Sequence, residues 1–250
     1  MRILNILVFF LLINSTSLAL ETKRILDHDE WTKKVITLDW KNLDEEQEYR
    51  TDIEGVNASI KINKGDFYLI NKEDMNQYSY WTWGTPTAGW DMLLRGDGYL
   101  LFIETNDDGY VNIEDWNNVD TDRWIKILNE NAQEELEKNK GKDIDLATKF
   151  TWVKKPKLDR KKNMVFYAYE VLWNDGVTSL ESRTLILGKN GYSSLVFTTT
   201  DEETPYSQLA NKFSNKAETF KFNEGSTYSE FKTGDKIAAV GIGALLATTL

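Results

Sequence analysis

Apolar residues recur along this chain at two spacings, and each spacing predicts a type of element. Every second residue is apolar over 58–62, which is typical of a strand with one buried face. Every fourth residue is apolar over 124–136, which predicts the longest helix, with Asp120 or Thr121 at its start. From Ala147 onward the period of two returns, and it predicts a run of three or four strands.

Turn signals divide that run of strands. Pro156 is expected to end the first one, because proline lacks the N–H that a sheet ladder needs. The stretch 164–173 is apolar or aromatic on both faces, which predicts a central strand, and 174–176 after it predicts a hairpin turn. A last helix is expected to start at 204–205, with Thr204 as its cap and Pro205 at its first helical position. This order predicts an α+β fold of one domain, an antiparallel meander with helices packed on it.

The densest aromatic stretch, 78–90, contains two glycines and a proline and is therefore predicted to be a loop. Its side chains could form a stacking surface for a sugar ring or a peptide, the candidates being Tyr80, Trp81, Trp83 and Trp90. The alternative is an aromatic flap folded over the core. Exposed indoles in a cleft would favour ligand binding, and buried indoles would remove most of its support.

The N-terminus has the three parts of a secretory signal peptide cleaved after Ala19. A short positive start, Met1-Arg2, precedes an apolar run over 3–13, and small residues occupy the cleavage positions. The apolar run is shorter than the roughly 20 residues of a spanning helix, which favours cleavage over an uncleaved anchor. The body is therefore expected outside the cytoplasm.

The C-terminal run from Ile237 to Leu250 is uncharged and follows a last charged pair, Asp235 and Lys236. As a helix it reaches about 21 Å, against a bilayer hydrocarbon core of roughly 30 Å, so it predicts the first part of a transmembrane helix. The predicted organisation is a signal peptide (1–19), a charged N-terminal segment (20–52), an α+β extracytoplasmic domain (53–221), a juxtamembrane loop (222–236) and the start of a C-terminal transmembrane helix (237–250).

Charge and composition exclude several classes of function. The formal net charge is −10 at pH 7, and an acidic surface repels nucleic acid and anionic lipid headgroups, so no nucleic-acid partner is expected. There is no cysteine, which excludes disulfides, thiolate zinc sites and cysteine nucleophiles. The one histidine, His28, lies in a charged segment and is interpreted as a solvated linker residue rather than a catalytic base.

Short motifs spread over most of the chain carry a family resemblance. They are Trp83–Pro86, Gly109–Val111, Trp152 with Pro156 and Asp159, Arg183–Gly188 leading to Gly191, then Phe222, Gly225, Tyr228, Phe231, Asp235-Lys236, Ala238 and Gly241. In their order and spacing the chain resembles, from about Ile53 onward, the bacterial membrane-anchored proteins grouped as domain of unknown function 2167. The resemblance implies an exported protein with a signal peptide and a C-terminal spanning helix. It implies no activity, cofactor or catalytic residue.

The stretch 104–115 is similar to a calcium-binding EF-hand loop in its spacing of oxygen ligands. Glu104, Asn106, Asp108 and Asp115 fall at loop positions 1, 3, 5 and 12. Glutamate at the first position and aspartate at the last depart from the usual pattern, and a predicted strand precedes the loop in place of a helix. An Asx-rich turn between strands is the alternative. Calcium is therefore a candidate ligand, and no other cofactor is expected.

These observations favour a non-enzymatic, membrane-anchored protein of the bacterial cell envelope. It is expected in the inner membrane, held through its C-terminal helix, with its body on the periplasmic side and an unknown protein or glycan as partner. The alternative is an extracytoplasmic ligand-binding domain for carbohydrate or peptidoglycan fragments that uses the Trp-rich loop. An enzyme using paired carboxylates is a third hypothesis, for which Glu170, Asp175 and Glu181 provide acidic groups but no geometry.

Overall fold

The computed structural model describes residues 28–42, 49–53, 56–83, 89–142, 144–199 and 203–248. The predicted signal peptide lies outside these residues. The helices of the described part are α1 (His28–Val35), α2 (Lys72–Trp83), α3 (Thr121–Lys138), α4 (Tyr206–Ala217) and α5 (Ile242–Thr248), with short 3-10 helices at Glu114–Asn118 and Tyr228–Glu230. The strands are β1 (Lys41–Asn42), β2 (Tyr49–Asp52), β3 (Ala58–Ile62), β4 (Phe67–Leu69), β5 (Met92–Gly96), β6 (Tyr99–Asn106), β7 (Ala147–Asp159), β8 (Met164–Trp173), β9 (Thr178–Leu187), β10 (Tyr192–Thr199) and β11 (Lys221–Phe222).

The strands of the described residues form one large and one small sheet. The large sheet has eight strands in the order β1-β4-β5-β6-β10-β9-β8-β7, and each neighbouring pair is antiparallel. The small sheet has the order β11-β3-β2. The predicted α+β class and the meander from β7 to β10 are confirmed. Sequence spacing did not predict that β10 also pairs with β6, which joins the meander to the strands before α3.

Pro156 does not end a strand, and that prediction is wrong. β7 continues through it to Asp159, because β7 is the outermost strand and Pro156 lies in an irregular stretch, between Lys154 and Lys157, where it has no paired residue on β8. The pairing of β7 with β8 shifts register between Trp152 and Lys154 and again between Lys154 and Lys157. β8 is buried along nearly its whole length, as predicted, although it lies next to the edge strand.

Two helix starts follow the expected capping chemistry, and one differs. The Asp120 carboxylate accepts the N–H groups of Asp122 and Arg123 at 3.1 and 3.0 Å, as an N-cap should. The Asn71 amide oxygen accepts the Glu73 N–H at 2.8 Å in front of α2. Pro205 stands at the N-cap of α4 and not at its first helical position, so α4 begins one residue later than predicted.

Both faces of the large sheet are covered. On one face α4 packs its apolar side on the middle strands, with the Phe213 ring stacked on Phe197 at 5.1 Å between centroids, and β3 of the small sheet joins the same core. On the other face α1 and α2 cover the β4–β10 half, while α3 and α5 cover the β7–β9 half. The polar side chains described below lie on this second face, where the two halves meet.

The segment expected to start a transmembrane helix at Ile237 has a different structure. Ile237 forms a parallel bridge with Tyr110, and the helix begins only at Ile242. Ile242, Leu245 and Leu246 are buried in the same core cluster as the apolar side of α3, so this part of the run packs on the body. In the described part of the chain, no helix has the length and apolar character that crossing a bilayer requires.

Candidate functional site

The aromatic stretch predicted to be a loop is helical at its start, since residues 78–83 form the end of α2. Tyr80 is 48% exposed, while Trp81 is half-buried, with the Lys34 ammonium 5.3 Å from its ring centroid. Trp90 is 3% exposed, and its ring centroid lies 4.4 Å from that of Phe102, so this indole belongs to the core. The Trp83 side chain lies outside the described residues. Ligand stacking by the whole set stays a prediction, with Tyr80 and Trp81 as its surface members.

The proposed calcium ligands occupy different kinds of structure. Glu104 and Asn106 lie within strand β6, Asp108 lies in the exposed turn that follows, and Asp115 lies in a 3-10 helix. Nowhere among the described residues do three acidic or histidine side chains come together as metal ligands. Calcium binding therefore stays a prediction, for which the structure offers no assembled site in that range.

Asp115 has a structural role. Its Oδ2 accepts the N–H of Gly243 at 3.0 Å, at the start of α5. The carboxylate lies so close to Gly241 that a Cβ there would meet it at 2.6 Å, which explains glycine at this position. The carboxylate thus supplies the acceptor that the first turn of a helix lacks, and it holds the C-terminal segment to the 3-10 helix before α3.

A buried ion pair lies at the centre of the second sheet face. Glu181 and Arg183 are adjacent on the same side of β9, since alternate residues of a strand share a face. The Arg183 Nε–H donates to Glu181 Oε1 at 2.9 Å, and the Tyr169 O–H of the neighbouring strand donates to the same oxygen. Both charged side chains are less than a tenth exposed. Burial raises the pKa of Tyr169 well above its usual value, so its hydroxyl stays protonated and donates.

A pair of carboxyl groups, Asp91 and Glu104, lies farther along this face. The Asp91 backbone N–H donates to the Ile103 carbonyl at 2.8 Å, and its Oδ2 accepts the Thr105 N–H at 2.7 Å, so Asp91 lies beside Glu104. Burial raises the pKa of Glu104, and Asp91 raises it further, while Arg183 opposes the shift. Burial also raises the pKa of Asp91, and the hydrogen bond from the Thr105 N–H opposes this shift.

These five residues, Asp91, Glu104, Tyr169, Glu181 and Arg183, form what we call the central polar cluster. Partly buried carboxyl groups with raised pKa values near a buried guanidinium are typical of sites that bind a polar ligand or exchange a proton. Sequence reasoning missed Asp91 and Arg183 and assigned Glu104 to calcium. The available signal was two opposite charges two residues apart on one face of the predicted strand β9, which predicts an ion pair.

The acidic residues considered for hydrolysis do not come together. Glu170 lies on the opposite face of β8 from Tyr169, because neighbouring residues of a strand alternate. Asp175 lies in the exposed β8–β9 turn, where its carboxylate accepts the Val177 N–H at 2.9 Å. Glu181 already accepts hydrogen bonds from two internal partners. The arrangement therefore gives no pair of carboxylates across a cleft from these three residues.

The chain from 222 to 242 attaches to one end of the large sheet. The Tyr110 ring stacks on both Tyr228 and Phe231, with centroids 4.4 and 4.0 Å apart. The Tyr228 O–H donates to the Val111 carbonyl at 2.8 Å, and the N–H groups of Ala238 and Ile242 donate to the carbonyls that flank Val111, at 2.9 and 2.8 Å. Residues 222–236, predicted to be a juxtamembrane loop, are thus packed against the body.

Several motif positions of the resemblance meet in this attachment. A Cβ at Gly109 would lie 2.9 Å from the backbone of Ile237 and Ala238, so glycine allows these two segments of the chain to approach each other. Gly188 similarly lies against the Phe222 ring. The Lys236 ammonium donates to the Asp107 carbonyl at 2.8 Å. These motifs are therefore explained by packing of the C-terminal segment.

Comparison with known proteins gives one family match. A family model described as "Protein of unknown function (DUF2167)" matches residues 45–250. No curated protein matches the chain. Among solved structures, the chain is similar to the solution structure of cyanobacterial PsbP (CyanoP) from Synechocystis sp. PCC 6803, with 13% identity and a TM-score of 0.41, over 70% of this chain and 91% of that chain. We draw no conclusion from a likeness at this TM-score.

The ion pair of the central polar cluster gives a stability prediction. Arg183→Met removes the counter-charge and leaves the Glu181 carboxylate buried, so the free energy of unfolding is expected to fall by about 3–5 kcal/mol in urea titrations. The double variant Glu181→Gln/Arg183→Met has no buried charge, and its amide oxygen still accepts the Tyr169 hydroxyl. It is expected to recover most of the loss. Equal destabilisation of the single and double variants would contradict this interpretation.

The carboxyl pair gives a pH-dependence prediction. Because the folded-state pKa of Glu104 is raised, the protonated form is favoured in the folded protein. The resulting stability is fully present below the ordinary pKa of 4.5 and is lost as pH rises through the folded-state pKa. Glutamine does not ionise, so the Glu104→Gln variant does not lose this stability as pH rises. Its Tm is therefore expected to exceed that of the wild type at pH 7. The two Tm values are expected to converge in acid.

The matched control is Glu130→Gln on α3, a carboxylate whose side chain is 59% exposed. Its Tm is expected to follow the wild type at each pH. A lower Tm for Glu104→Gln at pH 7 would show that attraction to Arg183 outweighs burial and repulsion by Asp91.

Proposed function

The chain belongs to the family described as Protein of unknown function (DUF2167), and from that premise we propose that it is an extracytoplasmic protein held at a membrane through its C-terminal segment. Its body acts as a binding module rather than a catalyst. The observation that carries the proposal is the two-sided character of residues 237–248. One side of this segment packs on the body, and the other presents apolar residues to solvent.

The exposed side carries two large apolar side chains. Ile237 is 63% exposed and Val240 is 44% exposed, and residues 237–250 contain no charged side chain. The apolar signal-peptide pattern at the N-terminus supports export. An exported body that carries an uncharged, partly exposed apolar segment is suited to a bilayer interface, where this surface leaves water.

The binding role is supported by the contacts of the charged groups, which lie within the body. Glu181 and Arg183 neutralise each other inside the sheet face, and Asp115 holds α5, so these groups serve the structure of the body. A rigid body attached through a packed C-terminal segment presents its remaining surface in a fixed orientation. This geometry suits recognition of a protein or glycan partner in the envelope.

Membrane attachment is tested by fractionation of the full chain, with its own leader, after expression in a bacterial host. The protein is expected in the membrane fraction and resistant to high-salt washing. Val240→Asp introduces a charge that costs about 2.5–3.5 kcal/mol inside a bilayer, so it is expected to shift protein to the soluble fraction.

Ile127→Asp on α3 is the matched control, because Ile127 is an apolar side chain of similar exposure, 41%, outside residues 237–248. It should leave the distribution unchanged. Recovery of the wild type in the soluble fraction, or an equal shift for both variants, would contradict attachment through residues 237–248.

A second proposal is that the body binds carbohydrate or peptidoglycan fragments, and the exposed Tyr80 ring beside Trp81 carries it. Aromatic stacking contributes about 0.5–1.5 kcal/mol, so Tyr80→Ala is expected to weaken binding of soluble peptidoglycan fragments about fivefold in calorimetric titrations. Ile127→Ala serves as the control for loss of an exposed apolar side chain. Equal affinities for Tyr80→Ala and the wild type would exclude Tyr80 from the binding surface.

A further inference from the structure

The β7–β8 hairpin is strongly basic within an acidic protein. Residues 149–162 include seven lysine or arginine residues and one acidic residue, Asp159, whereas the whole chain has a formal net charge of −10. Net charge alone predicted repulsion from anionic surfaces. The fold instead gathers positive charge along one edge of the large sheet and at the turn between β7 and β8.

The lysines along β7 have an explanation in the fold. β7 is the outermost strand, and lysine on an edge strand prevents pairing with other chains. Lys155 forms an ion pair with Asp122 at 2.6 Å, and the Lys154 ammonium donates to the Asn211 side chain. The basic residues of the turn, which follow the end of the strand, are not explained by edge protection.

The turn holds its backbone in a fixed conformation. One oxygen of the Asp159 carboxylate accepts the N–H groups of Lys161 and Lys162 at 2.9 and 3.1 Å, and Asn163 adopts a left-handed conformation with φ of 50°. The Lys162 ammonium forms an ion pair with Glu218 at 2.6 Å. Arg160 and Lys161 are exposed, and the described part of the chain supplies no ion-pair partner for either. Two uncompensated positive charges therefore extend from a rigid turn.

This turn lies at the end of the molecule that carries the C-terminal segment. The Asn163 carbonyl accepts the Leu187 N–H at 2.9 Å, and the next residue, Gly188, forms a bridge with Thr227. Arg160 is near enough to Tyr228 to oppose the burial that raises the pKa of this tyrosine. The basic turn and the start of residues 237–248 thus lie at the same end of the large sheet.

Two of the three acidic side chains of residues 222–236, Glu230 and Asp235, have partners within the protein, while Glu224 is exposed. The Glu230 carboxylate accepts the N–H groups of Gly225 and Thr227, at 2.9 Å for its Oε2 in both cases. Asp235 lies 3.4 Å from the Lys189 ammonium. These contacts reduce the negative field next to the turn, so Arg160 and Lys161 keep their attraction for an external anion.

We propose that Arg160 and Lys161 bind the anionic lipid headgroups of the membrane at which the C-terminal segment holds the body. The inference rests on the proposed function, because it needs this end of the molecule to face a bilayer. The two charges are attracted to an anionic leaflet, and the acidic remainder of the body is repelled by it. The combination orients the body with its C-terminal end toward the lipid.

The test is flotation of the full chain with vesicles of phosphatidylcholine alone and with an equal mixture of phosphatidylcholine and phosphatidylglycerol. The wild type is expected to partition more strongly onto the anionic vesicles, and the difference is expected to shrink as salt is raised. Arg160→Gln/Lys161→Gln is expected to lower partition onto anionic vesicles about 30-fold, about fivefold for each charge near the surface. Partition onto neutral vesicles should not change.

The matched control is Lys140→Gln/Lys142→Gln, which changes the net charge equally at the C-terminal end of α3, near the start of β7. It is expected to bind both vesicle types as the wild type does. Binding of Arg160→Gln/Lys161→Gln at the wild-type level, or an equal loss in the control, would overturn the proposal.

The two vesicle types separate this inference from the proposed function. Binding to neutral vesicles reports the apolar C-terminal segment alone. Anionic binding that depends on Arg160 and Lys161, without neutral binding, would support the basic turn while contradicting apolar attachment. Failure to bind either vesicle type would overturn both. Thermal melts of each variant confirm that the fold is retained.

Discussion

Removal of both faces of one eight-stranded sheet from water is the constraint on which this structure depends. β8 and β9 are buried along nearly their whole length, so apolar groups on either side must be covered by other elements. α4 and the small sheet cover one face, and helices from both halves of the chain cover the other. The C-terminal segment completes this second cover, since Ile242, Leu245 and Leu246 join the core that α3 also covers. It is therefore part of the folded body.

The same constraint governs the polar side chains on the buried faces. A charged group inside a sheet face must have a partner, and Glu181 finds one in Arg183 just as Lys216 of α4 finds one in Asp66, at 3.0 Å. The Asp91 and Glu104 carboxyl groups are only partly buried, and burial raises the pKa of each. Acidic residues that look catalytic in the sequence are thus largely engaged in maintaining the fold.

Three features meet at one end of the molecule and support the functional proposals together. The aromatic stack around Tyr110 fixes the C-terminal segment, the apolar side of that segment faces solvent, and the β7–β8 turn adds uncompensated positive charge. Apolar and basic groups at one end of the molecule suit a bilayer interface. There the apolar side chains leave water, and the basic side chains meet lipid phosphate groups. The acidic character of the rest of the body would keep the other surfaces away from the same lipid.

The sequence by itself determined the local elements. Alternation identified the strands of the β7–β10 meander, fourfold spacing identified α3, and the carboxylate of Asp120 marked its start, because these patterns depend only on neighbours along the chain. The tertiary structure decided which elements meet. It paired β10 with β6, allowed Pro156 within β7 by placing that strand at the edge, and assembled the central polar cluster from three separate parts of the chain. It also packed part of an apolar run that resembled a plain membrane segment onto the body, because the uncovered end of the sheet offered Val111 and its neighbours as partners. Spacing along a chain records which residues share a face, whereas the surface that covers that face depends on contacts between residues far apart in sequence.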